Sequence, residues 1–182
     1  LNKYKNVSIF CTGDNLGYGG GNNFGLNKTN TKYALILNPD IICDQNYFIN
    51  IKKYLDGKID FSIIGSQYRD NESYAPAGFF EKNLKLKDAK FDNKYNLYKI
   101  DWVVGCSILI NLEKFKNKSI FDESFFLFFE EFDLCKSLKK NNENVYSSSD
   151  LIVDHLGYKS STQFNKEENL NKLRNWHYMW SY

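Results

Sequence analysis

VSIFCTGDNLGYGGGNNFG, from Val7 to Gly25, joins an apolar run of strand length to twelve residues, Asp14–Gly25, that hold five glycines and three asparagines. Glycines between a strand and a helix let main-chain N–H groups meet a phosphate. The spacing fits neither common phosphate motif. There is no Gly-Lys-Ser/Thr ending, and Asn22 stands where a dinucleotide fingerprint has its third glycine. A turn that caps a helix and a loop that holds a ligand both remain open from this stretch alone.

Further along, apolar runs of strand length occur at Tyr33–Asn38, Phe61–Gly65, Trp102–Asn111 and Val145–Val153. Helical patterns lie between them. One runs from about Gly20 to Lys28; in another Asp44 is the expected cap and Phe48, Ile51 and Leu55 recur at i, i+3 and i+7. This alternation predicts an α/β fold with a mostly parallel sheet flanked by helices, whose ligands bind beyond the carboxyl ends of strands. The segment from about Gln67 to Ile100 departs from the pattern and reads as loops or a hairpin. No internal repeat or linker divides the chain, which is read as a single domain over residues 1–182.

The 182 residues suffice for a sizeable core, with 42% hydrophobic and 17% aromatic. A net charge of +2, with basic and acidic residues intermixed, excludes the basic stripe of a nucleic-acid binder. Cys11, Cys43, Cys106 and Cys135 are widely spaced and form no Cys-x-x-Cys pair, so free thiols in a reducing compartment are expected. No signal peptide is evident, and the longest apolar run, WVVGCSILI, is too short to span a bilayer. The chain starts at Leu1 with NKYKN, which reads as the end of a helix or a loop, so a piece of something longer is expected.

Carboxylates mark the candidate chemistry. LILNPD puts Asn38, Pro39 and Asp40 at a strand's carboxyl end, where a carboxylate suits Mg²⁺ or Mn²⁺ shared with phosphates, although a plain Asn-Pro-Asp turn fits the same residues. In FFLFFEEFDLCKSL, a helix starting near Glu130 sets Glu131, Leu134, Cys135 and Leu138 at i, i+3, i+4 and i+7. Glu131 then heads the inward stripe and is a candidate general base, whereas Glu130 and Asp133 are explained by the helix dipole. His155, at the end of the last strand run, is either a metal or diphosphate ligand or a hydrogen-bonded structural residue.

In order and spacing, NLGYGGGNNFG, LILNPD, WVVGCSILI, FDESFFLFFEEFDLC and VDHLGYKS resemble the inverting nucleotide-sugar glycosyltransferases of family two, particularly the rhamnosyltransferase-like branch. The resemblance covers nearly the whole chain. It implies a GT-A, Rossmann-like fold, with Gly19, Gly20, Gly21, Asn22 and Asn38 on the donor side and Trp102 and Gly105 on the acceptor side. It further implies Asp40 and His155 at a divalent metal, and the Glu130-Glu131 pair as the catalytic acids, with Glu131 the base. Family members more often carry Asp at the position of Glu131. They also begin with a strand-helix-strand unit that holds the nucleotide base, so the resemblance implies an N-terminally truncated domain here, ending within a C-terminal helix at LRNWHYMWSY.

The implied partners are a nucleotide-sugar donor and a glycan or lipid-linked acceptor, in the cytoplasm and in peripheral association with the inner face of the membrane. The implied cofactor is Mg²⁺ or Mn²⁺. Two rivals carry less: a dinucleotide-dependent oxidoreductase lacks its third glycine and its acidic residue, and a non-catalytic remnant or binding module of the same fold would keep the motifs without turnover.

Overall fold

The computed structural model describes residues 5–155 other than 71, 72 and 76. Helix α1 (Gly17–Asn27) leads to strand β1 (Tyr33–Leu37), the short β2 (Ile41–Cys43) and helix α2 (Tyr47–Asp56). Strand β3 (Ile63–Asp70) enters the excursion, which holds β4 (Ser73–Ala75), β5 (Ala77–Gly78), β6 (Lys90–Asp92) and β7 (Leu97–Lys99). After β8 (Trp102–Val103) and β9 (Ser107–Asn111), helix α3 (Glu130–Lys140) precedes β10 (Val145–His155). The Gly157–Lys159 part of the last motif and the expected C-terminal helix lie outside the described residues.

The main sheet runs β1-β9-β3-β10-β7-β6, with β2 paired to β10 and β4 to β3. It is mixed and mostly antiparallel, so the expectation of a mostly parallel sheet is corrected. β3 pairs in parallel with β10, and β1 and β3 both pair antiparallel with β9. The strands β1, β3 and β10 therefore run one way, as strand-helix alternation requires. What alternation could not reveal is β9, which arrives from the excursion without a helical crossover and slots in the opposite direction between β1 and β3.

Alternation along the central strands sets the layers. Ile63, Ile108 and Ile110 join Leu26 of α1 and Leu134, Cys135 and Leu138 of α3 in one core cluster. Their sequence neighbours Ile64 and Leu109 join Tyr47, Ile51 and Tyr54 of α2 in the other. The sheet thus has α1 and α3 on one face and α2 on the other. All five residues of β9 are buried, as befits a strand covered on both faces.

Three local expectations differ from the structure. Val7–Cys11 forms no strand, and Val7, Ile9 and Phe10 are exposed. The run Trp102–Asn111 is two strands, because the chain turns at Gly105–Cys106. On α2 the buried stripe is Tyr47, Ile51 and Tyr54, with Phe48 62% exposed. The tyrosines win because their hydroxyls find partners inside: Tyr47 Oη meets Ser66 Oγ at 2.8 Å and Ser107 Oγ at 2.5 Å, and Tyr54 Oη meets Ser148 Oγ at 2.7 Å. Among the described residues, no helix is long and apolar enough to cross a membrane.

Candidate functional site

The end of β1 turns through Asn38, Pro39 and Asp40 into β2. Asn38 is half-buried and its N–H donates to the carbonyl of Cys106 at 3.0 Å, so this turn is tied to the turn that separates β8 from β9. Asp40 is 7% exposed, and its Oδ1 is buried without a hydrogen bond. His155 Nε2 lies 3.5 Å from that oxygen. The ladder makes this meeting: β10 pairs antiparallel with β2 so that His155 faces Ile41, the residue after Asp40. Two residues 115 positions apart in sequence thus meet because of strand register.

Helix α3 carries the acids. Glu131 is partly exposed, and burial raises its carboxyl above the usual range, an effect partly offset by its own N–H and by that of Gly105. Glu130 is 3% exposed with Oε2 unpartnered, and burial pushes its carboxyl up to about 7. The buried stripe of α3 is Glu130, Leu134, Cys135 and Leu138. The helix dipole therefore does not explain Glu130 as a solvated first-turn acid: Glu130 is sealed inside and Glu131 stands at the border of the stripe. The acids and Asp40 share one neighbourhood. The Cys106 thiol is pushed up to about 12 by burial, then by Asp40, and further by Glu131, so both carboxylates lie within electrostatic reach of it.

The glycine stretch is helical from Gly17, and what its backbone approaches is the protein itself. Gly17 has φ of 72°, and a side chain there would strike the Phe126 carbonyl. A Cβ on Gly19 would lie 3.1 Å from Phe121 Cβ and 3.7 Å from Glu130 Cβ, and one on Gly20 would lie 3.0 Å from Leu16 Cβ. Gly21 and Gly25 face open space. Asn22 donates to the Tyr18 carbonyl at 2.9 Å, one turn back in its own helix. Of the donor-side candidates, then, Gly19 and Gly20 are buried in packing, whereas Gly21 and Asn22 are partly exposed. The adjacent Asn23 is buried and holds four partners: its amide donates to Phe121 O and Glu123 Oε1, and its Oδ1 accepts from the N–H groups of Ile120 and Phe121.

Trp102, at the start of β8, donates its indole N–H to Phe79 O at 3.1 Å and stacks on Phe132 of α3 with ring centroids 4.7 Å apart. Phe132 also meets Phe80 and Phe129, so an aromatic cluster adjoins Glu131. Gly105 is buried against Tyr18, whose hydroxyl donates to the Gly105 carbonyl. Sequence reasoning missed Tyr18, Cys106 and Phe132; the signal for Tyr18 was there, as the bulky residue interrupting GYGGG. A separate groove of about 750 Å³ between residues 114–122 and α3 is lined by none of the candidate residues.

Among the described residues, no group of three or more His, Cys, Asp and Glu could hold a metal ion by itself. Asp40 and His155 can supply two ligands to a hard cation that takes the rest from phosphate and water, and the orphaned Oδ1 fits that use.

No family model matches the chain. It is 28% identical over 152 residues to the low-salt glycan biosynthesis hexosyltransferase Agl10 of Haloferax volcanii, covering 78% of this chain and 49% of that protein. It is 23% identical over 189 residues to the rhamnosyltransferase WbbL of Escherichia coli, covering 92% of this chain and 69% of that one. A solved structure, that of A197 from STIV, is similar with a TM-score of 0.48 at 13% identity, over 73% of this chain and 62% of that one. The chain spans about half the length of the first relative. The two sequence likenesses, at low identity, support a glycosyltransferase family for this chain.

Proposed function

We propose that this chain carries the catalytic face of a GT-A-type glycosyltransferase, which moves a sugar from a nucleoside-diphosphate donor to a hydroxyl of a glycan or lipid-linked acceptor with inversion. The observation that carries the reading is the convergence on the Gly105–Cys106 turn: the Asn38 N–H is bonded to the Cys106 carbonyl, and Asp40 and Glu131 both lie within electrostatic reach of the Cys106 thiol. The names of the two relatives support the same class of reaction.

In this reading Glu131 takes the proton of the acceptor hydroxyl while the acceptor oxygen bonds to the anomeric carbon, and the bond from that carbon to the diphosphate breaks on the opposite face. Attack from the side opposite the leaving group inverts the centre. The border position of Glu131 suits a base that must reach substrate yet be partly desolvated. Asp40 and His155 would hold Mg²⁺ or Mn²⁺, which when bound offsets negative charge on the departing diphosphate. Gly21, Asn22 and Asn38 line the donor side, and Trp102 with its aromatic neighbours lines the acceptor side. The reaction belongs to the cytoplasm, at the inner face of the membrane where a lipid-linked acceptor is reached.

The test is Glu131→Gln, assayed as nucleoside diphosphate released from a panel of UDP-, GDP- and dTDP-hexoses. Turnover should fall by about 10²–10⁴-fold with binding of the nucleoside diphosphate retained, the usual worth of a positioned general base. Undiminished turnover sinks the assignment. Asp40→Asn should abolish the Mn²⁺ dependence of UDP, GDP or dTDP binding in calorimetry, and binding that keeps its metal dependence refutes the metal site.

A further inference from the structure

Strand β10 does not run evenly to His155. It pairs with β3 from Val145 opposite Ile63 to Ser148 opposite Ser66, and the next residue of β3, Gln67, faces Ile152. Ser149, Asp150 and Leu151 are thus an insertion into the ladder. The insertion is odd in length, so it exchanges the faces of the strand. Ahead of it Val145 packs with α1 and α3 and Tyr146 with α2; from its end onward Leu151 and Val153 pack with α2. His155, two residues beyond Val153 and opposite Ile41, shares that face. A strand continuing evenly from Ser148 would pair Ser149 with Gln67 and turn residue 155 to the opposite face, away from Asp40.

The insertion is held by its own strand, by α2 and by the turn between β6 and β7. The fully buried Ser148 Oγ accepts from the N–H groups of Asp150 and Leu151, each at 3.0 Å, and Tyr54 Oη of α2 lies 2.7 Å from it. With both lone pairs of Ser148 taken, its own proton goes to Tyr54. Asn96, in the β6–β7 turn with φ of 53°, accepts from the Ser149 N–H at 3.1 Å. Its side-chain amide donates to both carboxylate oxygens of Asp150, at 3.0 and 3.1 Å. From α2 the Asn50 amide donates to the Asp150 carbonyl at 3.0 Å. Resting on Asp40 and His155 as the metal-holding pair, we propose that Ser148 and Asn96 are positioning residues for His155: they hold the bulge that turns the end of β10 so that His155 meets Asp40. A bulge kept by hydrogen bonds on several sides re-aims a side chain without moving the rest of the strand. The excursion thereby has a task at the site, because its hairpin carries Asn96.

The experiment reads the strand and the site separately. Amide exchange by NMR compares the outer ladder, Ile41–Cys43 with Val153–His155, to the inner one, Ile63–Gly65 with Val145–Ser147. Calorimetry measures the Mn²⁺-dependent binding of UDP, GDP or dTDP. Ser148→Ala leaves two N–H groups of the bulge without their acceptor, so exchange should speed up in the outer ladder alone. The Mn²⁺-dependent affinity should fall by about 10–100-fold, the usual worth of a group that orients a metal ligand. Asn96→Gly keeps the left-handed turn and its carbonyl and removes only the grip on Asp150; the same two changes are expected, several-fold in size. Tyr54→Phe keeps the acceptor of the bulge, and should lose stability while the outer ladder and the affinity stay native. An outer ladder as protected as the inner one in folded Ser148→Ala and Asn96→Gly overturns the proposal. So does native affinity in a variant whose outer ladder has opened, or an equal loss of affinity in Tyr54→Phe. Mn²⁺ dependence that survives His155→Ala would instead overturn the assignment of His155 to the metal, and the ladder alone then decides whether the clamp sets the strand.

Discussion

Glu130 offers the most exposing test of the geometry, because its carboxyl is sealed at the seam between α1 and α3. Residue 130 is 3% exposed, one oxygen has no partner, and burial pushes the carboxyl from its ordinary 4.5 up to about 7. In the unfolded chain the group ionises near 4.5, so between these values the folded protein binds the extra proton. The sign follows from linkage: the stability attached to this group is full below about pH 4.5 and is lost as pH rises through 7. At about 1.4 kcal/mol for each pKa unit, the loss is about 3 kcal/mol. Glu130→Gln removes the titration. Urea unfolding of both proteins at pH 5, 6, 7 and 8 should therefore show the variant gaining on the native chain by about 2.5 kcal/mol across that range, the remainder falling below pH 5. Stability curves that run parallel from pH 5 to 8 would refute the reasoning, since a carboxyl that ionises freely in the folded state cannot be buried as described.

Asn23→Ala should cost about 3 kcal/mol in urea unfolding, because three of its four hydrogen bonds are to main-chain groups of residues 120 and 121 at about 1 kcal/mol each, and the bond to exposed Glu123 adds little. A loss under 1 kcal/mol would mean that water replaces the amide and the seam is open. Gly19→Ala should destabilise by about 1–2 kcal/mol through contact with Phe121, whereas Gly21→Ala, facing open space inside a helix, should stabilise by about 0.5–1 kcal/mol. If donor phosphate meets α1 at Gly21, the second variant is the one that weakens UDP, GDP or dTDP binding; thermal melts and calorimetry on the same samples separate the two effects.

Much of the scaffold was legible because period speaks directly. Leu134, Cys135 and Leu138 recur at helical spacing and are buried on α3, and the Tyr33–Asn38 and Val145–Val153 runs became β1 and β10. Period says nothing about direction, however, and so β9 was invisible as an antiparallel insertion. It also fails inside WVVGCSILI, where a turn at Gly105–Cys106 leaves the apolar run unbroken in sequence while dividing it in space. On α2, hydropathy favoured Phe48 over Tyr47. The sheet chose Tyr47, because Ser66 and Ser107 await its hydroxyl on strands β3 and β9, and no scale applied to one helix contains that information.

The glycine stretch shows the same limit from the other side. Five glycines announced that something comes close to α1 and gave no hint of what. The neighbour is the segment 121–130, a hundred residues on, and each close approach has its own cause: a left-handed φ and the Phe126 carbonyl at Gly17, Phe121 at Gly19. Asn23 then closes the seam with hydrogen bonds to residues 120, 121 and 123. This packing buries Glu130 beside α1 and, one helical step of about 100° away, leaves Glu131 partly exposed. A side chain at residue 19 would press on Phe121 at 3.1 Å, while its 3.7 Å approach to Glu130 Cβ is ordinary contact, so its effect on Glu130 runs through the 121–130 segment that covers it. On this view the packing of α1 on the 121–130 segment keeps Glu130 buried, and Gly19→Ala should lower the titration of Glu130 toward its ordinary range along with the stability it removes. A Glu130 carboxyl that still titrates near 7 in folded Gly19→Ala protein would show that the seam tolerates the methyl and that burial of Glu130 is set elsewhere.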